Sequence, residues 1–534
     1  MKEHVFRHGS DIALVETTKG KVKGYEYDGL SIFKGIPYAK AARFHAPKPL
    51  EAWEGVLDAT SYGAVCPLMN PPCPNNELLA PHRYWAENEN CQNLNVWTPG
   101  CDEQKRPVLV WLHGGGFIEG SAIEQVAYEG ENMSRRGQMV VVSVNHRHNL
   151  LGFCDLSEFG DEYANSGNAG MEDIIASLRW IRDNIAKFGG DPDNVTIMGQ
   201  SGGGEKISAL LQMPAADGLY HKAILMSGIL DPAVEDTKGS GRPLIEAMLK
   251  ELDTSDVKLL EKLPYQELIS VYRKVSPALK ERGEYAGLVP NPNAFYRGMP
   301  LEAGFRKETA HIPMMIGTVF GEMANMIPEE HFKAYLEMRQ LSREEQLADL
   351  ERAVGQKGAK AVAEVFEKYY PERPLCDWHF LDMVFRSPTK DYIDQRKKLN
   401  ACTYVYECNQ DFLLNGGMVP WHCTEIPFML YNTELVPVTA IPGVTGTLER
   451  QMAESVIAFA RTGDPNHAFI PQWPPVTEQR DVTMVFDAHT RISENRDAEL
   501  LPVFRRYVGP VYCRELQGVM HELFGEKWDR WWQQ

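Results

Sequence analysis

The chain has 534 residues, 43% hydrophobic and 24% charged, with a formal net charge of −18. That composition suits a large folded core, while the acidic balance and the lack of a Lys/Arg-rich block argue against a nucleic-acid partner, which needs a basic footprint. No apolar run reaches the length of a membrane-spanning helix, residues 1–7 hold no apolar stretch of a secretory signal, so that a cytoplasmic location is expected, and ten cysteines in so long a chain do not make a disulfide scaffold.

In chain order, the first sixty residues read as short antiparallel strands at 13–17, 21–27 and 31–36, separated by Lys19-Gly20 and Asp28-Gly29. A proline-rich, irregular loop follows over 67–81, including Pro71-Pro72-Cys73-Pro74. From about 94 onward, apolar strand runs alternate with helical patterns. Strands are expected at 108–112, 139–144, 195–198, 222–227, 312–317, 403–407 and 482–486, and helices at 171–188 and 202–212. In the first of these helices Ile174, Ile175, Leu178, Ile181 and Ile185 recur at helical spacing, and Gly189-Gly190 ends it. Alternation of apolar strands with helices predicts an α/β fold with a doubly wound, mostly parallel central sheet, preceded by a small N-terminal antiparallel sheet. Two charged, helix-patterned stretches interrupt it at about 232–310 and 323–400. Excursions of that size lie over the C-terminal edge of such a sheet, as lids or substrate walls or simply as rim support. Residues 1–534 are thus expected to form a single domain carrying two helical insertions.

Gly199-Gln200-Ser201-Gly202-Gly203 joins the strand at 195–198 to the helix that follows. This is the G-x-S-x-G nucleophile elbow in its required setting: a strand turns sharply into a helix, one serine hydroxyl stands clear of the sheet, and flanking glycines avoid a clash across the turn. The strand at 108–112 runs into His113-Gly114-Gly115-Gly116-Phe117. A strand ending in three glycines exposes backbone N–H groups able to hold an oxyanion. A serine hydroxyl needs a base, and the base a carboxylate, in the chain order Ser, acid, His. His331, His379, His467, His489 and His521 lie in helical or turn-like surroundings. His422 follows the strand at 403–407 and a glycine-containing loop, where a base can hang over the elbow. Glu322, just beyond the strand at 312–317, is a candidate acid, with Asp411 and Asp382 as rivals.

Further segments carry a family resemblance. Phe33-Lys34-Gly35-Ile36-Pro37-Tyr38-Ala39, the run from Glu89 through Pro99, Asn145-His146-Arg147 with Gly152-Phe153, Gly167-Asn168-Ala169-Gly170 through Gly189-Gly190-Asp191-Pro192, and Arg461-Thr462-Gly463-Asp464-Pro465-Asn466 with Trp473-Pro474 are similar to signatures of the type-B carboxylesterase/lipase family. Over roughly residues 15–495 the chain resembles that α/β-hydrolase family, and its bacterial carboxylesterases most. The resemblance implies Ser201 as nucleophile, Glu322 as acid within Gly317-Thr318-Val319-Phe320-Gly321-Glu322, and His422 as base within His422-Cys423-Thr424-Glu425-Ile426-Pro427-Phe428. It also implies an oxyanion hole from the N–H groups of Gly115, Gly116 and Gly202. Glycine at 202 stands where relatives usually carry alanine, which suggests a looser turn. Asn90, Gly321 and Met323 replace a usual Asp, Asp and Gly, and Lys40-Ala41-Ala42-Arg43-Phe44 shortens a loop; these departures bear on the pocket rim. Cys66 and Cys91 match a pair bonded in secreted relatives and are left open between thiols and a disulfide.

The implied activity is carboxylic ester hydrolysis through an acyl-enzyme, with no metal or organic cofactor and a small-molecule ester, apolar or aromatic, as the partner. The alternatives are a catalytically inactive adhesion relative and a lipase acting on long-chain acylglycerols. Trp85, Trp421, His146 and His148 either line the pocket or pack the core.

Overall fold

The apolar runs of the sequence come together in one twelve-stranded sheet. The computed structural model describes residues 4–70, 77–232, 239–285, 288–326 and 329–509, so Pro71-Pro72-Cys73-Pro74 and His521 lie outside the described residues. In spatial order the strands are Phe6–Arg7, Tyr25–Tyr27, Leu30–Pro37, Asn93–Thr98, Val140–Val144, Arg106–Leu112, Gly190–Gln200, Lys222–Met226, Met314–Val319, Thr403–Cys408, Val482–Phe486 and Arg491–Glu494. From Val140–Val144 to Val482–Phe486 every neighbouring pair is parallel. The strands outside that block pair antiparallel.

Successive side chains of a strand point to opposite faces, and here both faces are buried. Leu109, Trp111, Met198 and Met226 join one core, while Val108, Val110, Ile197 and Leu225 join the other. That double burial is why these strands read as unbroken apolar runs. The helix Ala169–Asn184 covers the second core through Ile174, Ile175, Leu178 and Ile181, and Gly189 ends the turn after it with φ 76°.

The N-terminal region differs from its expected form. Leu14–Thr17 and Gly20–Lys23 do pair antiparallel in a small separate sheet, but its third strand is Val56–Asp58, parallel to Gly20–Lys23. The expected strand 21–27 breaks at Gly24, whose N–H is given to the Ala13 carbonyl and where a Cβ would sit 2.1 Å from the Ile32 oxygen. Beyond that break Tyr25–Tyr27 and Leu30–Pro37 leave the small sheet and extend the large one. Asn93–Thr98, unmarked as a strand by its polar residues, is fully buried within the large sheet: Asn95 bonds Ser143 from the strand beside it.

The stretches between the later strands are helical: Arg242–Glu251, Lys258–Lys262 and Tyr265–Glu281 in the first, Glu329–Met338, Arg343–Tyr369 and Arg386–Lys398 in the second. Among the described residues no helix is long and apolar enough to cross a membrane.

Candidate active site

Ser201, Glu322 and His422 lie in the turn or loops beyond the C-terminal ends of parallel strands, where open α/β sheets place their ligand sites. Gly190–Gln200 ends at Ser201, which has φ 55° and ψ −126°, and helix Gly202–Leu210 starts at once. Such backbone geometry is costly outside glycine and persists only where surrounding packing enforces it. The Ser201 N–H is donated to the Met226 carbonyl (2.8 Å), and the Ser201 carbonyl accepts from Glu205 N–H (3.0 Å). The helix start is pressed against the end of strand Arg106–Leu112: a Cβ at 203 would lie 2.1 Å from the Leu112 oxygen, and one at 199 would lie 2.5 Å from the Gly203 carbonyl carbon. Glycine at those two positions is therefore a steric requirement.

The glycine loop lies against the elbow. A Cβ on Gly114 would come 3.5 Å from the Ser201 Cβ, and one on Gly202 would come 2.2 Å from the Gly116 oxygen and 2.4 Å from its nitrogen and Cα. The sequence expectation of a looser turn at Gly202 is thus corrected: the loop approaches more closely than an alanine permits. Among the backbone hydrogen bonds of the described residues, the N–H groups of Gly115, Gly116 and Gly202 have no acceptor. They remain free donors beside Ser201, as an oxyanion site requires.

The loops after Met314–Val319 and Thr403–Cys408 are tied rung by rung. Phe320 N–H donates to Cys408 O (3.0 Å), Gly321 N–H to Pro420 O (3.1 Å), and His422 N–H to Glu322 O (2.9 Å). That tie brings His422 Nδ1 to 2.6 Å from Glu322 Oε2. The other Glu322 oxygen accepts from Ser227 Oγ (2.6 Å) and Val319 N–H (2.8 Å), so three donors fix the carboxylate. The ring of Phe385 stacks on the imidazole, centroids 5.0 Å apart. Burial pushes the His422 pKa down, but the hydrogen bond and charge of Glu322 outweigh it, and the net shift is upward from 6.5. Because a carboxylate only accepts, the proton shared with Glu322 sits on Nδ1, leaving the Nε2 lone pair for a reacting proton.

The third contact differs from a continuous Ser–His–Glu chain. Among the described residues Ser201 Oγ makes no hydrogen bond to His422; the Gln200 amide nitrogen lies 3.1 Å from Nε2 and 3.3 Å from Nδ1. The Gln200 oxygen in turn accepts from the Cys423 thiol (3.2 Å). Nucleophile–base hydrogen bonds often close only with substrate bound.

The rival acids have other work. Asp411 pairs with Arg339 and Arg373. Asp382 accepts the N–H groups of Val384, Phe385 and Arg386 at the start of helix Arg386–Lys398, and burial together with the Glu322 charge lifts its pKa to about 7. His379 pairs with Asp349, and His467 bonds Ser455. His146 and His148 are buried and pack around His113, and Trp421 is buried with its indole N–H on the Glu77 carbonyl. Trp85 is 44% exposed with its N–H on the Tyr62 carbonyl. Cys66 and Cys91 are buried together as free thiols.

Sequence reasoning missed three contributors. Ser227 directly follows strand Lys222–Met226, a strand-end position like that of the other site residues. Gln200 sat inside the elbow motif without a role. Lys206 is a fully buried lysine on the elbow helix, and a charged residue on an apolar helix face was the available signal.

A narrow cleft, partly open to solvent, lies beside the elbow helix and is lined by Phe117, Glu205, Ile229, Leu230, Tyr296 and Tyr392. Burial raises the Glu205 pKa to about 7.

A parallel sheet with a strained serine elbow, a facing glycine loop and an imidazole–carboxylate pair at one edge defines an α/β-hydrolase. The chain belongs to the carboxylesterase family, which matches residues 11–501. It is 32% identical over 502 residues to para-nitrobenzyl esterase of Bacillus subtilis, covering 91% of this chain and 97% of the relative. It is 31% identical over 487 residues to phenmedipham hydrolase of Pseudarthrobacter oxydans, covering 86% and 92%. Among solved structures, an esterase from anaerobic Clostridium hathewayi that can hydrolyze aliphatic aromatic polyesters aligns with a TM-score of 0.90 at 46% identity, over 95% of this chain and all of that one. The chain is accordingly a serine carboxylic ester hydrolase, which sets aside the inactive adhesion alternative.

Proposed function

We propose that Ser201, His422 and Glu322 form the catalytic triad and that Gly115, Gly116 and Gly202 bind the oxyanion. The observation that carries this reading is the 2.6 Å bond from His422 Nδ1 to Glu322 Oε2 at the edge where the strained Ser201 turn meets the glycine loop. In the first half-reaction Ser201 Oγ adds to the ester carbonyl carbon while His422 Nε2, released by the Gln200 amide, takes the hydroxyl proton. Glu322 holds the ring in the Nδ1–H tautomer and stabilises the imidazolium. The carbonyl π electrons move to oxygen, where the free N–H groups receive them. The tetrahedral adduct collapses, the C–O bond to the alcohol breaks, and His422 returns its proton to the leaving oxygen. Water then repeats the sequence on the acyl-enzyme, giving acid and free Ser201.

The aromatic and aliphatic lining of the cleft supports small to medium apolar or aromatic esters as substrates. The helical stretches at about 232–310 and 323–400 supply walls to that cleft in this reading, since Tyr296 and Tyr392 come from them. The 46%-identical Clostridium relative, an esterase that can hydrolyze aliphatic aromatic polyesters, extends the range to esters of that kind. The experiment is a panel of nitrophenyl esters of increasing acyl length plus an aliphatic aromatic polyester, run beside Ser201→Ala. Loss of roughly a million-fold in kcat is expected for the variant if the triad acts as a unit. Near-normal turnover by Ser201→Ala would end the proposal, and undiminished rates on long acyl chains would replace the substrate reading with a lipase.

A further inference from the structure

Lys206 is one turn beyond the nucleophile, on the first turns of helix Gly202–Leu210, and has no exposed surface. A buried lysine is expensive unless its donors are used. Its Nζ lies 2.8 Å from the His113 carbonyl oxygen and 3.4 Å from that of Gly114. Those two carbonyls belong to the peptides leading into Gly115. The Gly114 oxygen also lies 2.9 Å from His113 Nδ1, so two side chains hold one carbonyl.

A trans peptide is planar, and its C=O and N–H point in opposite directions. Fixing the Gly114 carbonyl toward Lys206 therefore fixes the Gly115 N–H away from it. Gly115 itself has φ 80° and Gly116 φ 58°, and neither has a side chain to anchor it. A glycine loop left alone has access to many backbone states. Preorganised donors are what make an oxyanion site effective, because no reorientation is then needed as charge develops.

We propose that Lys206 is a positioning residue for the oxyanion loop, gripping the His113 and Gly114 carbonyls from behind so that the Gly115 N–H faces the reacting carbonyl, while the next peptide, which carries the Gly116 N–H, is held by Ile118 and Glu119 N–H on the Gly115 carbonyl. The role deepens the ester-hydrolysis reading and rests on its oxyanion assignment. It also ties loop to nucleophile, since the lysine rides on the helix that Ser201 begins. Burial lowers the Lys206 pKa to about 7, against the pull of Glu205 and Glu124. Charged or neutral, the amine keeps at least two N–H donors for two carbonyls.

The test is Lys206→Met, which keeps the length of the side chain and removes the donors, with Lys206→Gln as a second variant retaining a shorter donor. Both are assayed for kcat and KM on a nitrophenyl ester, for affinity toward an aryl trifluoromethyl ketone that forms a tetrahedral adduct on Ser201, and for cooperative thermal unfolding. For folded Lys206→Met, kcat is expected to fall about 10- to 100-fold, less than for outright loss of an oxyanion donor. KM should stay within about threefold, and ketone affinity should fall in step with kcat/KM, a correlation expected of lost transition-state binding. Lys206→Gln should lie between. A folded variant with kcat within about twofold of the parent overturns the proposal, as does a loss of kcat with ketone affinity unchanged. Loss of the folded state in both variants gives Lys206 a purely structural role and equally overturns it. A Ser201→Ala enzyme that keeps turnover would instead sink the triad reading beneath.

Discussion

Gly202→Ala is the sharpest perturbation of this site, because the family resemblance and the structure point opposite ways. Relatives usually carry alanine after the nucleophile, so conformity to the family makes the change harmless. Here the added methyl would stand 2.2 Å from the Gly116 oxygen and 2.4 Å from the Gly116 nitrogen and Cα. All three are backbone atoms, so no side chain can swing aside, and either the glycine loop or the helix start must retreat by about 1 Å. A displacement of that size at reacting groups costs about 100-fold in rate, and outright loss of one oxyanion donor costs about 10²–10³-fold. Overpacking of this kind also costs about 1–3 kcal/mol of stability. We therefore expect kcat for Gly202→Ala to fall about 10²–10³-fold with KM little changed, alongside a modest fall in Tm. The assay is steady-state hydrolysis of nitrophenyl acetate and butyrate, with thermal unfolding of the same preparations. Parental kcat in a folded Gly202→Ala enzyme would refute the argument from close approach.

Other expected outcomes follow from the same geometry. Only neutral His422 can accept a proton, and its pKa is raised by Glu322, so kcat/KM should rise with pH through a midpoint above 6.5; a midpoint at or below 6.5 would count against the pair. Glu322→Gln removes that upward push, and should both move the midpoint down and lower kcat by about 10⁴-fold, whereas Asp411→Asn, at the Arg339 and Arg373 pairs, should leave the pH profile in place. Carboxyls kept protonated by burial should contribute stability that is lost as pH rises from about 4 to about 8, against the opposite contribution of buried His113, His146 and Lys206. Glu425 and Glu124 are raised to about 8, and Glu205 and Asp382 to about 7, mainly by burial, so these four groups bind more protons in the native state than in the unfolded chain across that window. Glu425→Gln should flatten the dependence of Tm on pH, and an unchanged slope would remove Glu425 from that account.

How much of this was legible beforehand varies with the source of each signal. Strands buried on both faces, such as 108–112 and 195–198, announce themselves as apolar runs, and their C-terminal ends carried the elbow and the glycine loop. Asn93–Thr98 was overlooked because its Asn93 and Asn95 satisfy their side chains inside the sheet region, on Ala64 and Ser143, and so hide a buried strand behind polar letters. The break at Gly24 depends on a contact with Ile32 across a turn that no local pattern displays. Glu322 could not be separated from Asp411 by strand ends alone. What distinguishes them is the rung from His422 N–H to Glu322 O, a pairing between loops a hundred positions apart. The Gln200–His422 contact and the Lys206 grip are likewise tertiary facts, visible only once the elbow helix is docked on its neighbours.

The rungs linking 320–322 to 408–422 also govern what the intervening chain can do. Phe320 receives Asp382 N–H on its carbonyl while giving its own N–H to Cys408. The long helical excursion thus leaves beyond Glu322 and is stapled back to Phe320 at Asp382, so that in the proposed triad the rungs pair acid and base, and of the excursion Phe385 stacks on the imidazole. Its length and its side chains facing the cleft are free to diverge, so substrate preference can be rewritten there while the proton-transfer pair stays in register.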